Sequence, residues 1–98
     1  MNISKTVDGT SLSIALEGRL DTTTAPQLDE ELKNSIGDCT TLVIDFKELE
    51  YLSSAGLRIL LSTQKVMNKQ GKMIIRNVNE TIMEVFEMTG FVDILTIE

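Results

Sequence analysis

TLVIDF, from Thr41 to Phe46, followed after a polar stretch from Lys47 to Ser53 by SAGLRILL, from Ser54 to Leu61, decides the fold. The first segment is short, rich in β-branched residues and apolar on both faces until Asp45, the signature of a strand in the middle of a sheet covered by helices. In the second, Leu57, Leu60, Leu61 and Met67 recur at helical spacing, widened by Ile59 and Val66. A helix is predicted from about Ser54 to Asn68, stopping near Gly71. A strand, a loop over Lys47–Ser53 and a helix make an α/β unit.

Upstream, Thr24 and Gln27 make a capping-box pattern, and Pro26 fits a first helical turn, where its missing N–H costs no bond. Ala25, Leu28, Leu32, Ser35 and Ile36 form an inner stripe, with Asp29, Glu30, Glu31, Lys33 and Asn34 opposite. Gly37 supplies a stop. Before this helix, Ile3 and Val7, then Leu12, Ile14 and Leu16, alternate as in strands, and Asp8-Gly9 between them suits a tight hairpin turn.

Downstream, Lys72 to Val78 reads as a strand. Asn79 is placed to cap a third helix, with Val78 and Met83 as a hydrophobic staple. Ile82, Val85 and Phe86 face inward, Gly90 ends the helix, and Phe91 to Ile97 is read as the last strand. The order β-β-α-β-α-β-α-β over residues 1–98 predicts a single α/β domain: a mostly parallel mixed sheet, three helices and one antiparallel edge.

Composition narrows the function. The chain has 98 residues, 42% hydrophobic and 24% charged, enough for one core and ordinary for a folded domain. A net charge of −6 and only one tyrosine and three phenylalanines disfavour nucleic acid, which needs neutralised phosphates and stacking platforms. No apolar run is long enough for a membrane span, and MNISKTVDGT is not a secretory signal. A single cysteine, Cys39, fits a reducing cytoplasm and suggests no metal set. The absence of histidine removes the commonest general base and metal ligand. No cofactor is implied. Met67, Met73, Met83 and Met88 read as core or rim filler, and Arg58, Lys65 and Lys69 as a solvated face.

Functional loops in such folds gather at the carboxyl ends of parallel strands. Gly18-Arg19-Leu20-Asp21-Thr22-Thr23-Thr24 follows the second strand, and Leu52-Ser53-Ser54-Ala55-Gly56-Leu57 follows the central one. If those strands are neighbours, Asp21 and Ser54 share one end of the domain. Ser54 sits where an N-cap belongs, and Ala55 and Gly56 leave room for another protein to approach. Two readings stay open: a cap beside a tightly packed glycine, or a presented hydroxyl. For Asp21 the alternatives are a turn residue bonding its own backbone and a site residue.

Leu52-Ser53-Ser54-Ala55-Gly56-Leu57-Arg58 resembles the loop-to-helix motif of STAS domains. Gly18-Arg19-Leu20-Asp21 resembles that family's Gly-x-Leu-Asp, Val43-Ile44-Asp45-Phe46 with Leu49 its central strand, and Val85 to Phe91 its last helix and turn. The likeness spans nearly the whole chain and is to the anti-sigma factor antagonists in particular. In them the phosphorylated serine or threonine lies two residues before the motif glycine, which falls on Ser54. The preceding residue is often aspartate and here is Ser53, so Ser53 is the other candidate for modification. The partner-facing residues implied are Asp21, Thr22, Ser53, Ser54, Ala55, Gly56 and Arg58.

The resemblance implies a cytoplasmic binding protein that is not an enzyme. Its unphosphorylated form would bind an anti-sigma factor with serine kinase activity, freeing the sigma factor. That kinase, holding the ATP itself, would phosphorylate Ser54, and a serine phosphatase would restore it. One rival is a STAS subunit of a transporter, lipid-trafficking ATPase or stress-sensing complex that is never phosphorylated. Another is an enzyme using Ser54 as nucleophile, but the G-x-S-x-G elbow, a histidine base and a nearby lysine are all missing.

Overall fold

The computed structural model describes residues 1–98. Strands β1 (Asn2–Asp8), β2 (Ser11–Leu20), β3 (Thr41–Leu52), β4 (Lys72–Arg76) and β5 (Thr96–Ile97) form one sheet in the order β1-β2-β3-β4-β5. Only β1 and β2 are antiparallel; the other pairs are parallel. Helices α1 (Ala25–Ser35), α2 (Ser54–Gln70) and α3 (Glu80–Thr89) make the crossovers. This is the single α/β domain that the sequence predicts. No helix is long and apolar enough to cross a membrane.

Each crossover joins adjacent parallel strands in the same direction, so right-handed connections place all three helices on one face. Leu12, Ile14 and Leu16 of β2, Leu42, Ile44 and Phe46 of β3, and Met73 and Ile75 of β4 point into that side and are buried. Phe46 meets Phe86 of α3 with ring centroids 6.2 Å apart. β3 lies in the middle of the sheet, as expected, with helices over one of its two faces. Its second face carries Thr41, Val43 and Asp45, all half-buried, beside a hollow of about 250 Å³ edged by Ser4, Thr6, Ser13 and Arg76.

Four local expectations are corrected. First, β3 does not end at Phe46 but runs to Leu52, so of the loop expected over Lys47–Ser53 only Ser53 lies outside the strand. Beyond Asp45, the last β3 residue paired with β4, it has β2 as its only strand neighbour, so its outer positions are wet and polar. Against β2 it also carries two irregularities: Ala15↔Asp45 is followed by Glu17↔Glu48, and Gly18↔Leu49 by Arg19↔Tyr51. The buried residues there are Phe46, Leu49 and Leu52, a spacing of three that hides the strand period.

Second, Phe91 to Asp93 is a 3-10 turn, and only Thr96–Ile97 pairs with β4. Third, the Thr24–Gln27 capping box is not formed. Thr24 has helical backbone and no capping bond; its hydroxyl accepts from the Asp21 N–H at 2.9 Å and donates to the Arg19 carbonyl at 2.8 Å. The Gln27 amide donates instead to the Met1 carbonyl at 3.2 Å. Fourth, Val66 is exposed, while Thr63 and Gln64 occupy the buried stripe of α2.

The Asn79 cap forms as expected: its Oδ1 accepts from the Ile82 N–H at 2.8 Å. The hairpin loop is Gly9-Thr10, one residue later than the dipeptide first read, with Gly9 at φ +61° as a two-residue turn opening on glycine requires. Met67 and Met73 are buried, whereas Met88 is 86% exposed.

Candidate functional site

Two loops leave the sheet side by side. β2 and β3 stay paired to Leu20↔Leu52, and the Ser53 N–H then donates to the Leu20 carbonyl at 2.9 Å. Asp21 and Ser54 therefore emerge at the same carboxyl end, as neighbouring strands require.

Ser53, not Ser54, caps α2. The chain is extended at Ser53 (φ −96°, ψ 174°), and its Oγ accepts from the Gly56 N–H at 3.4 Å. Its carbonyl takes the first helical bond, from the Leu57 N–H at 3.0 Å. The cap expected at Ser54 thus falls one residue earlier, because the extended-to-helical change occurs between the two serines. Ser54 is the first helical residue and exposed, whereas Ser53 is half-buried. The cap role and the exposed hydroxyl belong to adjacent residues.

Gly56 is buried, and the reason is contact. A Cβ there would lie 2.7 Å from Leu20 Cγ and 2.7 Å from Leu52 Cδ1, both on buried side chains. Only a bare Cα lets the start of α2 settle onto the ends of β2 and β3. Ala55, half-buried, adds little bulk beside Ser54.

Asp21 is a turn residue by its bonds. One carboxylate oxygen, Oδ1, accepts from the Thr23 hydroxyl at 2.8 Å, the Thr23 N–H at 3.0 Å and the Thr24 N–H at 3.2 Å. These bonds, the Thr23 hydroxyl foremost, outweigh desolvation and hold the carboxyl below its usual range. Its Oδ2 lies 3.8 Å from Arg19 Nε. Thr22 is exposed beside it. The reading of Asp21 as an element of local structure is the one the geometry supports directly.

Two residues at this end were missed from sequence. Arg19 and Tyr51 are partners in the β2–β3 register, and the guanidinium lies 4.3 Å from the ring centroid. Both are exposed. Their pairing is invisible once β3 is ended at Phe46. Arg58 sits one helical turn beyond Ser54, exposed, and with Thr22, Pro26, Asp29 and Ala55 edges a shallow groove of about 260 Å³ between the starts of α1 and α2.

Ser54 offers an exposed hydroxyl at this end of the domain. Its charged surroundings are Arg19, Asp21, Asp29 and Arg58, with no imidazole in the chain to take a proton from Ser54. Cys39 is remote from it, buried with Sγ 3.8 Å from Met67 Sδ, and burial pushes its thiol pKa up.

Comparison with known proteins supplies the family. The family model described as STAS domain matches residues 2–98. An anti-sigma-B factor antagonist of Bacillus subtilis is 29% identical over 98 residues, covering 99% of this chain and 90% of the relative. One from Staphylococcus aureus (strain NCTC 8325) is 30% identical over 97 residues, covering 97% and 90%. Among solved structures, the Bacillus cell fate determinant SpoIIAA in its phosphorylated form superposes with a TM-score of 0.77 at 23% identity, covering 99% of this chain and 91% of that one. These relatives are named for a regulatory role, not for catalysis. The chain is a STAS domain and belongs to the anti-sigma factor antagonist family.

Proposed function

We propose that this protein is a cytoplasmic anti-sigma factor antagonist switched by phosphorylation of Ser54. Its unmodified form binds an anti-sigma factor with serine kinase activity, and the sigma factor is released. The kinase, which holds the ATP, then transfers phosphate to Ser54, the complex falls apart, and a serine phosphatase resets the protein. The observation that carries this reading is the division of labour between the two serines: Ser53 is engaged as the cap, and Ser54 stands exposed at the first position of α2. A modified relative of the same fold supports it. Around Ser54, the residues proposed to meet the partner are Asp21, Thr22, Ser53, Ala55 and Arg58, with Gly56 beneath them. Gly56 contributes by setting the position of the helix tip, because it is itself buried.

A phosphate adds roughly −1.5 to −2 charges at neutral pH. At the first turn of α2, which carries no acidic residue, the helix dipole stabilises that charge by about 0.3–1 kcal/mol, so the fold survives. A partner that had accepted a neutral hydroxyl meets a hydrated dianion instead. A loss of about 3 kcal/mol in binding lowers affinity roughly a hundredfold.

The test is mass spectrometry after mixing the protein with its cognate kinase and ATP. A single phosphate on Ser54, absent from Ser54→Ala, is expected. Phosphate on Ser53 instead, or none at all, overturns the assignment. In binding measurements Ser54→Ala should retain affinity and Ser54→Asp should lose it; equal affinity of wild type and Ser54→Asp speaks for an unphosphorylated STAS subunit of a larger complex.

A further inference from the structure

We propose that Arg58 is the internal counter-ion of a phosphate on Ser54, so that modification withdraws a positive charge from the docking surface while adding a negative one. The inference rests on the reading of Ser54 as the modified residue.

Positions four apart on a helix are neighbours, with Cβ atoms roughly 5–6 Å apart. Helical side chains also lean toward the N-terminus, over the preceding turn. The long stem of Arg58 is thus directed back toward Ser54, on the exposed surface of α2. Arg58 is also uncommitted. The four ion pairs of the molecule are Lys5–Glu31, Arg19–Asp21, Lys33–Asp29 and Arg76–Glu98. Asp29, the carboxylate that edges the same groove, is taken by Lys33 at 2.9 Å. The other arginine at this end is occupied, stacked on Tyr51 and beside Asp21. Of two arginines at one end of the domain, one is engaged and one is free.

A guanidinium is the side chain best shaped for phosphate, since its parallel N–H groups match two oxygens. Arg58 carries one positive charge in the unmodified protein, open to a carboxylate on the partner. Paired with a phosphate of roughly −1.5 to −2 charges, it leaves a net negative centre in its place. Both halves of the change weaken the attraction of this surface for any anionic group brought to it.

The experiment places phosphoserine at position 54 during translation and follows its second ionisation, normally near pH 6, by phosphorus NMR. The pKa in the otherwise wild-type chain is expected about 0.4 of a unit below that in Arg58→Gln, the size of an exposed one-turn pair, with Arg58→Lys between them. Lys65→Gln, which removes a charge far along α2, should leave the value unchanged. Equal pKa values with and without Arg58, or a Lys65→Gln effect as large as that of Arg58→Gln, overturn the proposal. Because the phosphoserine is built in, the titration reports on Arg58 whether or not a kinase modifies Ser54. Failure of the kinase assay therefore sinks the function above and leaves this contact standing or falling by itself.

Discussion

Helices α2 and α3 begin with the same local device and put it to different uses. Each follows a residue in extended backbone, Ser53 (φ −96°, ψ 174°) and Asn79 (φ −77°, ψ 168°), whose side chain accepts from the N–H three residues on. At α3 the bond is short, 2.8 Å, and the Asn79 amide also donates to the Leu49 carbonyl at 3.0 Å, tying the helix to β3. Glu80 then brings a negative charge to the dipole. At α2 the cap bond is 3.4 Å, no acidic residue lies in the first turn, and the first helical residue is a bare hydroxyl. One start is finished as a joint. The other leaves its positive end uncompensated, with its grip on the sheet supplied by Gly56 against Leu20 and Leu52.

The strongest way to break this contrast is to deny α2 that grip. Gly56→Val forces a branched side chain into space that Leu20 and Leu52 already fill, and overpacking should cost about 3 kcal/mol in urea unfolding. A neutral result would mean that the helix tip is loosely seated. Next, Asn79→Ala should cost about 1–2 kcal/mol, because it removes the cap and leaves the Leu49 carbonyl without its donor. Ser53→Ala should cost less, about 0.5–1 kcal/mol, in keeping with the longer bond, and Ser54→Ala less than about 0.5 kcal/mol. If Ser54→Ala proved the more damaging of the two serine changes, the assignment of the cap would be wrong.

The smallest expected effect concerns Asp21, which organises the turn before α1. Hydrogen bonds from Thr23 and Thr24 lower its pKa in the folded state. A carboxyl so lowered stabilises the fold above its unfolded pKa, near 4, and that contribution disappears as pH falls through the lower folded value. Asp21→Asn should flatten this part of the acid limb of stability against pH, measured by thermal unfolding between pH 2 and pH 5. An unchanged acid limb would mean that the turn owes nothing to the ionised carboxylate.

What could be read from residues alone follows the same division. Helices with one apolar stripe and strands with strict alternation, such as Leu12-Ser13-Ile14-Ala15-Leu16, announce themselves because a single periodicity governs burial. Asn79 was legible as a cap because only one side chain there can do the work. The far half of β3 was not, since its bulges replace alternation by buried residues at 46, 49 and 52. Arg19 and Tyr51 went unseen with it, for their meeting depends on that register. Phe91 to Ile97 misled for the opposite reason: its apolar residues look like a strand, yet Gly90 (φ +78°) turns the chain into a 3-10 bend before it reaches β4. With two serines in a row, spacing put the cap on Ser54, one residue too late. The choice between them belongs to backbone dihedrals.

The seating of Gly56 bears on timing. A tip fixed against two strand ends has a single resting place, so on the proposed function the step from altered chemistry to altered recognition contains no slow rearrangement of the chain. The pace of the response is then set by how fast phosphate is put on and taken off, and the domain itself adds no delay.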